Sequence, residues 1–304
     1  MKQKDGFSHK LSSWLDRDNV AGYVFILPFI IGLIVFTTIP FFTSLYLAFT
    51  NYNILSAPKW VGLDNFKKMF FEDDLFWTSF KVTFKFALIQ VPIKLTVALL
   101  VALVLSRSTR LTSFYRAAFY IPSLMGGSVA IALLWKQLFS PRGVLNQVLG
   151  FFGLPDRTAW LGNPKTALGT LIALGVWQFG SCMLIFLSGL KQIPNSLYES
   201  AAIDGASPMK QFWKITMPML TPTIFFNMVQ QIITSFRVFT ESYVITNGGP
   251  MDSTLTYVLY LYRSAFTNFH MGYSCALAWI LVVIIGIATA ILFKSQDAWV
   301  HYEG

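Results

Sequence analysis

The sequence predicts an all-α polytopic membrane protein with six transmembrane helices, on three observations. Hydrophobic residues fill 55% of the 304 positions and charged residues only 12%, about half the charged share of an ordinary soluble domain. Mean hydropathy is +0.57, and Phe alone occurs 29 times. Apolar stretches of about 20 residues, the length that crosses a bilayer, recur along the chain between short polar segments. A soluble core does not explain such a deficit of charge; multiple helices in lipid do. The net charge of +9 forms no run or stripe, which argues against a nucleic-acid face and assigns the excess to membrane topology.

The first span is expected within residues 20–49, because no charge occurs from Asn19 to Pro58. It follows a basic N-terminal segment and lacks a small-residue cleavage signal, so it reads as a retained helix and not a signal peptide. The remaining spans are expected at 78–106, 117–138, 167–190, 222–246 and 272–293, making residues 1–304 one transmembrane domain. Loop charges set the orientation. Lys2, Lys4, Lys10, Arg17, Arg107, Arg110, Arg116, Lys191, Lys210, Lys214 and Lys294 fall on one side. Lys59, Lys67, Lys68, Arg142, Arg157, Lys165 and Arg263 fall on the other. The richer side is predicted to be the cytoplasm, with both termini inside. Trp60 and Trp160 stand beside turn residues in the opposite loops, where membrane-interface anchoring is the simplest role.

Several chemistries are excluded by residue type. Cys182 and Cys275 lie within apolar stretches, and His9, His270 and His301 are scattered, so no metal-ligand spacing exists. No Gly-Lys-Ser or Gly-Lys-Thr occurs, so the chain has no phosphate loop.

The most distinctive polar segment is residues 191–218. Ser196-Leu-Tyr-Glu199 has the form of a capping box. Ala201 and Ala202 continue that helix with small side chains, and Gly205 suits its left-handed end. Ser207-Pro208 then reads as a second N-cap with proline at the first helical position. Two short helices joined at glycine are expected, the first of about 8 residues or roughly 12 Å. Such a compact helix can seat in a groove on a soluble partner. Glu199 also serves as a cap in this reading, and the two roles are compatible.

The order Glu199-Ser-Ala-Ala-Ile-Asp-Gly205, continued to Ile215-Thr-Met-Pro218, resembles the cytoplasmic coupling loop of binding-protein-dependent ABC-importer permeases. The carbohydrate branch, with its maltose, glycerol-phosphate and complex-oligosaccharide permeases, is the most similar. Ser200 replaces the family's second alanine and Met217 its usual leucine; both changes conserve size. Val61-Gly-Leu-Asp-Asn-Phe66, Tyr120-Ile-Pro-Ser123, Leu187-Ser-Gly-Leu-Lys-Gln-Ile-Pro194, Thr246-Asn-Gly-Gly-Pro250 with Ser253-Thr254, and Met271-Gly-Tyr273 extend the resemblance along nearly the whole chain. Val91-Pro-Ile-Lys-Leu95, Gly126-Gly-Ser128 and Trp299-Val-His-Tyr-Glu-Gly304 resemble a subgroup handling plant-derived or other complex oligosaccharides.

The resemblance implies a type I importer permease fold. It implies that Glu199, Ser200, Ala201, Ala202, Asp204 and Gly205 couple to an ATPase. It also implies four kinds of partner: a second homologous permease subunit, two nucleotide-binding ATPase subunits, an extracytoplasmic solute-binding protein and an oligosaccharide cargo, all at a prokaryotic inner membrane. No cofactor is expected in this chain, since ATP and Mg belong to the ATPase subunits, and no catalytic residue is expected.

Polar residues at membrane depth are costly and point to function. Asn227, Gln230, Gln231, Thr234, Ser235, Arg237 and Glu241 crowd the fifth span, with Asn227, Gln231 and Ser235 on one face by their four-residue spacing. Arg237 and Glu241, also four apart, suit an intrahelical ion pair. Lys94 lies mid-way along the second span, suited to snorkelling or pairing within the bundle. Trp177-Gln-Phe-Gly180 in the fourth span offers an aromatic surface and an amide for sugar, or simply close packing at Gly180. In the resembled family these two spans line the transport path, which makes Gln178, Asn227, Gln231, Ser235, Arg237 and Glu241 the candidate substrate-pathway residues. Arg237, atypical for the family, is expected to favour cargo carrying a carboxylate, such as uronate-containing oligosaccharides. Two alternatives stay open: a permease for glycerol phosphate or another small polar solute, and an ion-gradient-driven secondary transporter using Lys94, Arg237 and Glu241 as a relay.

Overall fold

The computed structural model describes residues 18–106, 112–155 and 157–301. Lys2, Lys4, Lys10, Arg17, Arg107 and Arg110 of the topology argument, His9, and the end of the Trp299–Gly304 motif lie outside the described residues.

The described residues are mostly helical, with almost no strand. Helix α1 (Asp18–Leu33) passes through a π turn (Ile34–Thr38) into α2 (Ile39–Ala48), forming the first span. A short antiparallel pair, β1 (Thr50–Asn51) with β2 (Lys59–Trp60), and helix α3 (Asp64–Phe71) lead to α4 (Asp74–Ser106), 33 residues long. Then come α5 (Thr112–Met125), α6 (Val129–Leu138) and α7 (Val144–Phe151). Helices α8 (Pro164–Trp177) and α9 (Gly180–Gln192) precede the short α10 (Asn195–Ile203) and α11 (Pro208–Gln211). Finally α12 (Met217–Phe236), α13 (Tyr257–Tyr262) and α14 (Met271–Ser295) complete the chain.

Three of these helical units are long and apolar enough to cross a membrane by themselves: Phe25–Ala48, Asp74–Ser106 and Met271–Ala298. The predicted span 117–138 is instead α5 and α6, bent by 101°, and 167–190 is α8 and α9, bent by 43°. Counting each bent pair once makes five crossings. The first bend has a local cause: Gly127 adopts φ +76, a left-handed conformation that glycine accepts without steric cost. The predicted span 222–246 is also interrupted. Helix α12 ends at Phe236, Arg237 caps it, and a π turn resumes only at Ser242–Thr246. It is not among the helices long and apolar enough to cross a membrane by themselves.

Helix α4 organises the core, contributing to all three apolar clusters. Its Phe76 and Ala87 pack with Leu277 and Leu281 of α14, Phe236 of α12 and Leu259 of α13. Phe86 packs with Ile131 of α6 and Leu168 and Leu171 of α8. Its Val91, Leu95, Ala98 and Ala102 pack with Cys182, Met183 and Phe186 of α9. Ala98 and Ala102 are fully buried, and their four-residue spacing gives the small-residue face that lets membrane helices approach closely. The first span differs: its most apolar window contains no buried residue, leaving that surface to lipid or another subunit.

Motifs read from the sequence have structural roles. Asn65 donates its amide to the carbonyls of Ala48 (2.8 Å) and Thr50 (3.0 Å), closing the end of α2. Gly272 is required by proximity, since a Cβ there would lie 2.0 Å from the Thr50 carbonyl. Asp73 accepts from the Leu75 and Phe76 amides (3.0 and 3.1 Å), capping α4, and also from the Tyr260 and Tyr273 hydroxyls. One carboxylate thus ties together α4, α13 and α14. Burial and that bond hold the Tyr260 hydroxyl above the ordinary tyrosine range. In the Thr246-Asn-Gly-Gly-Pro250 turn, Asn247 and Gly248 have φ of +46 and +76 and Gly249-Pro250 is cis. Thr254 donates to Gly249 O at 2.7 Å, and Ser242 donates to Thr254 O. Of the two interfacial tryptophans, Trp60 is exposed and stacks on Phe49 at 5.6 Å. Trp160 is held by a 2.8 Å bond to Asn146.

Candidate functional site

Two polar regions stand out, one at an end of the molecule and one inside it. At the end, α10 is 9 residues long and begins at Asn195 with Pro194 as N-cap. The expected capping box is therefore not formed: Ser196 lies inside the helix, so Glu199 is not at the third helical position from a serine cap. Proline supplies the start instead, with its fixed φ of −61. The rest of the expected geometry is present. Gly205 has φ +73. The Gly205 amide donates to Ala202 O at 3.0 Å and the Ala206 amide to Ala201 O at 2.9 Å, the paired closure of a left-handed helix end. Ser207 caps α11, accepting from the Lys210 amide at 3.4 Å, with Pro208 at the first position.

This loop is anchored at its base and open at its face. Tyr198 shares a 2.8 Å hydrogen bond with Thr216 at the foot of α12, and Gln211 donates to Ala206 O at 3.2 Å. No residue of α10 or α11 is buried. Glu199, Ser200, Ala202, Asp204 and Gly205 are exposed and Ala201 half-buried. Beside them Ile203 is 87% exposed, with Met209 and Trp213 also exposed. Sequence reasoning missed these three. Their signal was apolar residues in a polar loop, which periodicity does not separate from the flanking spans.

Inside, the structure gathers some expected pathway residues and separates others. Gln178 sits at the α8–α9 bend as the cap of α8. Its backbone carbonyl accepts from Ser123 Oγ at 3.1 Å, and Ser123 Oγ in turn accepts from the Ser181 amide at 3.1 Å. A Cβ on Gly126 would lie 2.5 Å from Gln178 Oε1, so the two bends meet face to face. Packing at Gly180 is equally tight: a Cβ there would lie 2.4 Å from Phe119 O. Gln178 and Glu241 line one narrow crevice with Gly127, Ser128 and Thr240. Lys94 of α4, at membrane depth, is buried.

The expected Arg237–Glu241 ion pair is absent. The helix unwinds at Arg237, so the two residues are no longer one turn apart. Among the described residues the one ion pair is Lys67–Asp64, at 3.8 Å. Arg237 is exposed and Glu241 half-buried. Asn227 is fully buried, and neither end of its amide has a hydrogen-bond partner among the described residues. Ser235, also buried, bonds back to Ile232 O at 3.0 Å, while Gln231 is half-buried. Gln90 was missed by sequence reasoning. Its amide packs on Gly175, where a Cβ would lie 2.2 Å from Nε2, and its Oε1 has no partner among the described residues. Gln178 Nε2 is likewise unpaired. Unpaired buried amides are expensive, so Gln90, Gln178 and Asn227 mark an interior with unused hydrogen-bonding capacity. No group of three or more His, Cys, Asp or Glu side chains close enough to hold a metal occurs among the described residues.

Comparison with known proteins agrees with this architecture. Residues 94–302 match the family described as binding-protein-dependent transport system inner membrane component. A probable ABC transporter permease of Bacillus subtilis (strain 168), YesP, is 52% identical over 296 residues, covering 97% of this chain and 96% of its own. A probable starch degradation products permease of Thermoanaerobacterium thermosulfurigenes, AmyD, is 31% identical, covering 90% and 93%. A solved bacterial alginate ABC transporter, in complex with its alginate pentasaccharide-bound periplasmic protein, contains a chain superposing with TM-score 0.79 at 24% identity. That superposition covers 93% of this chain and 95% of the other, and it speaks for the fold. The bent helix pairs, the glycine-closed end loop and these matches lead to one assignment: the chain belongs to the binding-protein-dependent transport system inner membrane component family, as a multi-pass permease of the ABC-importer type.

Proposed function

We propose that this chain carries oligosaccharides, uronate-containing ones among them, across a prokaryotic inner membrane with both termini in the cytoplasm. Its cargo arrives on an extracytoplasmic solute-binding protein, and its motion comes from two ATPase subunits that hold ATP and Mg. A second, homologous permease completes the path. The observation that carries this reading is the exposed α10–α11 loop, closed at Gly205 and anchored by Tyr198 to α12. Glu199, Ser200, Ala201, Ala202, Asp204 and Gly205 form the docking segment. Displacement of α10 passes through the Tyr198–Thr216 bond into α12, the helix carrying Asn227, Gln231 and Ser235 and capped by Arg237. Transport then follows alternating access, with packed helices shifting between two arrangements.

The interior favours a polyhydroxylated cargo, because unpaired amides such as Asn227 and Gln178 gain hydrogen bonds from hydroxyls in a water-poor path. Relatives named for starch degradation products and for arabinooligosaccharides of B. subtilis, the latter 30% identical, support sugar as the class. Arg237, exposed and without an ion-pair partner among the described residues, supports acidic sugars. A second reading, a small phosphorylated polyol, is favoured by 32% identity to an sn-glycerol-3-phosphate permease of Agrobacterium fabrum.

The test is ATP hydrolysis by the reconstituted complex with its binding protein, stimulated by a panel of neutral oligosaccharides, uronate-containing oligosaccharides and glycerol phosphate. Stimulation by an oligosaccharide class is expected, with Arg237→Gln lowering the response to acidic sugars several-fold and leaving neutral ones unchanged. Stimulation by glycerol phosphate alone overturns the sugar reading.

A further inference from the structure

Between α4 and α8, at the end of the molecule opposite the 191–218 loop, lies an open groove of about 450 Å³. Its rim is cationic: Lys81 and Lys85 of α4 and Lys165 of α8 all line it, all are exposed, and among the described residues no carboxylate does. Lys81 and Lys85, four residues apart, share one helix face. Its wall is apolar, made by Val82 and Ile89 of α4 with Leu168 and Ile172 of α8. Gly169 opens it: a Cβ placed there meets no atom within 4 Å. Ser253 lines the same groove, and its Oγ is buried without a hydrogen-bond partner among the described residues.

The depth of this groove is set by helix geometry. Lys85 precedes Ser106 by 21 residues, about 31 Å of helix, which matches the roughly 30 Å hydrocarbon thickness. With the Ser106 end at one membrane surface, Lys85 reaches the other, and Lys81 stands one turn beyond it among the headgroups. Lys165, in the first turn of α8, lies at the same level. The topology rule weighs basic residues between the two sides and does not call for three lysines clustered at one groove. A cationic rim above an apolar wall matches an amphiphile with an anionic head.

We infer that this groove binds an anionic phospholipid, whose phosphate meets Lys81, Lys85 and Lys165, accepts from Ser253 Oγ, and whose acyl chain lies over Gly169 between α4 and α8. An acidic sugar satisfies the lysines but not the apolar wall. Each lysine near an anionic headgroup contributes roughly fivefold to affinity, so loss of all three weakens retention by tenfold or more. The site is independent of the cargo.

The test uses the assembled complex in bilayer discs of phosphatidylcholine containing phosphatidylglycerol, with bound lipid counted by native mass spectrometry. Phosphatidylglycerol is expected to remain bound in preference to phosphatidylcholine. The combined Lys81→Ala, Lys85→Ala and Lys165→Ala variant is expected to lose that preference at least tenfold, and the corresponding arginine variant to keep it. Gly169→Leu, which fills the groove without altering charge, is expected to lose it too. Unchanged retention in the alanine variant overturns the inference. So does an assembled wild-type complex with no preference, as when a partner subunit covers the groove. Loss of uronate-stimulated ATP hydrolysis with lipid retention intact assigns the lysines to cargo and equally overturns it. The lipid readout requires no transport, so failure of the sugar reading leaves this result interpretable.

Discussion

At the residue scale, the buried amides separate stability from function. Asn227 is fully buried with both amide ends unpaired, a state costing about 1–3 kcal/mol. Asn227→Leu keeps the volume and removes the unpaired groups. It is expected to raise the thermal stability of the complex in detergent while lowering transport several-fold. A fall in melting temperature would show instead that the amide is satisfied in the resting protein, and the pathway role of Asn227 would be lost. Gln178 is held differently, by close contact with Gly126. The sequence placed Gln178 and Glu241 on separate spans without indicating that they share a crevice. Only the two facing bends bring them together.

At the element scale, the α10–α11 pair was legible because its chemistry is local. A glycine at a left-handed position and a serine–proline start need no distant partner. The proline that opens α10 and the exposed apolar trio were not legible. Helix starts compete over a few residues, and exposure depends on what the rest of the chain leaves uncovered. Ile203, 87% exposed, is expected to seat in an apolar recess of the ATPase. Ile203→Asp should therefore abolish ATPase co-purification while leaving the permease folded and in the membrane. Undiminished co-purification would place the contact elsewhere on the loop. Gly205→Pro tests the hinge separately, since proline cannot adopt φ +73. The expected result is an assembled complex whose ATP hydrolysis no longer responds to cargo, and a normal response would remove the hinge from the coupling mechanism.

At the scale of the whole molecule, Asp73 joins the start of α4 to α13 and α14 through two backbone and two tyrosine hydrogen bonds. Hydrogen bonds to a charged group make a net contribution of about 1.5–3 kcal/mol each. Asp73→Ala removes the cap and leaves two hydroxyls without their acceptor. It is expected to lower the melting temperature of the complex by several degrees, with Asp73→Asn intermediate. Equal stability of all three would mean that α13 and α14 are held by apolar packing alone. The first span makes the complementary point: its most apolar window, which contains no buried residue, has to be covered by lipid or by another subunit.

Sequence alone determined the membrane class, the positions of the apolar stretches, the Gly205 closure and the family motifs. Each of these is written in composition or in spacing over a few residues. Tertiary structure decided where those stretches bend, which residues approach, and which polar groups stay unpaired. The physical reason lies in the solvent. A helix surrounded by lipid and apolar neighbours is apolar all round, so its direction leaves no periodic trace; Gly126-Gly127-Ser128 marks where the chain turns before Val129, but the 101° angle comes with the packing of Gly126 against Gln178. The Arg237–Glu241 pair failed for a related reason. Four-residue spacing implies contact only along an unbroken helix, and the chain unwinds at Arg237.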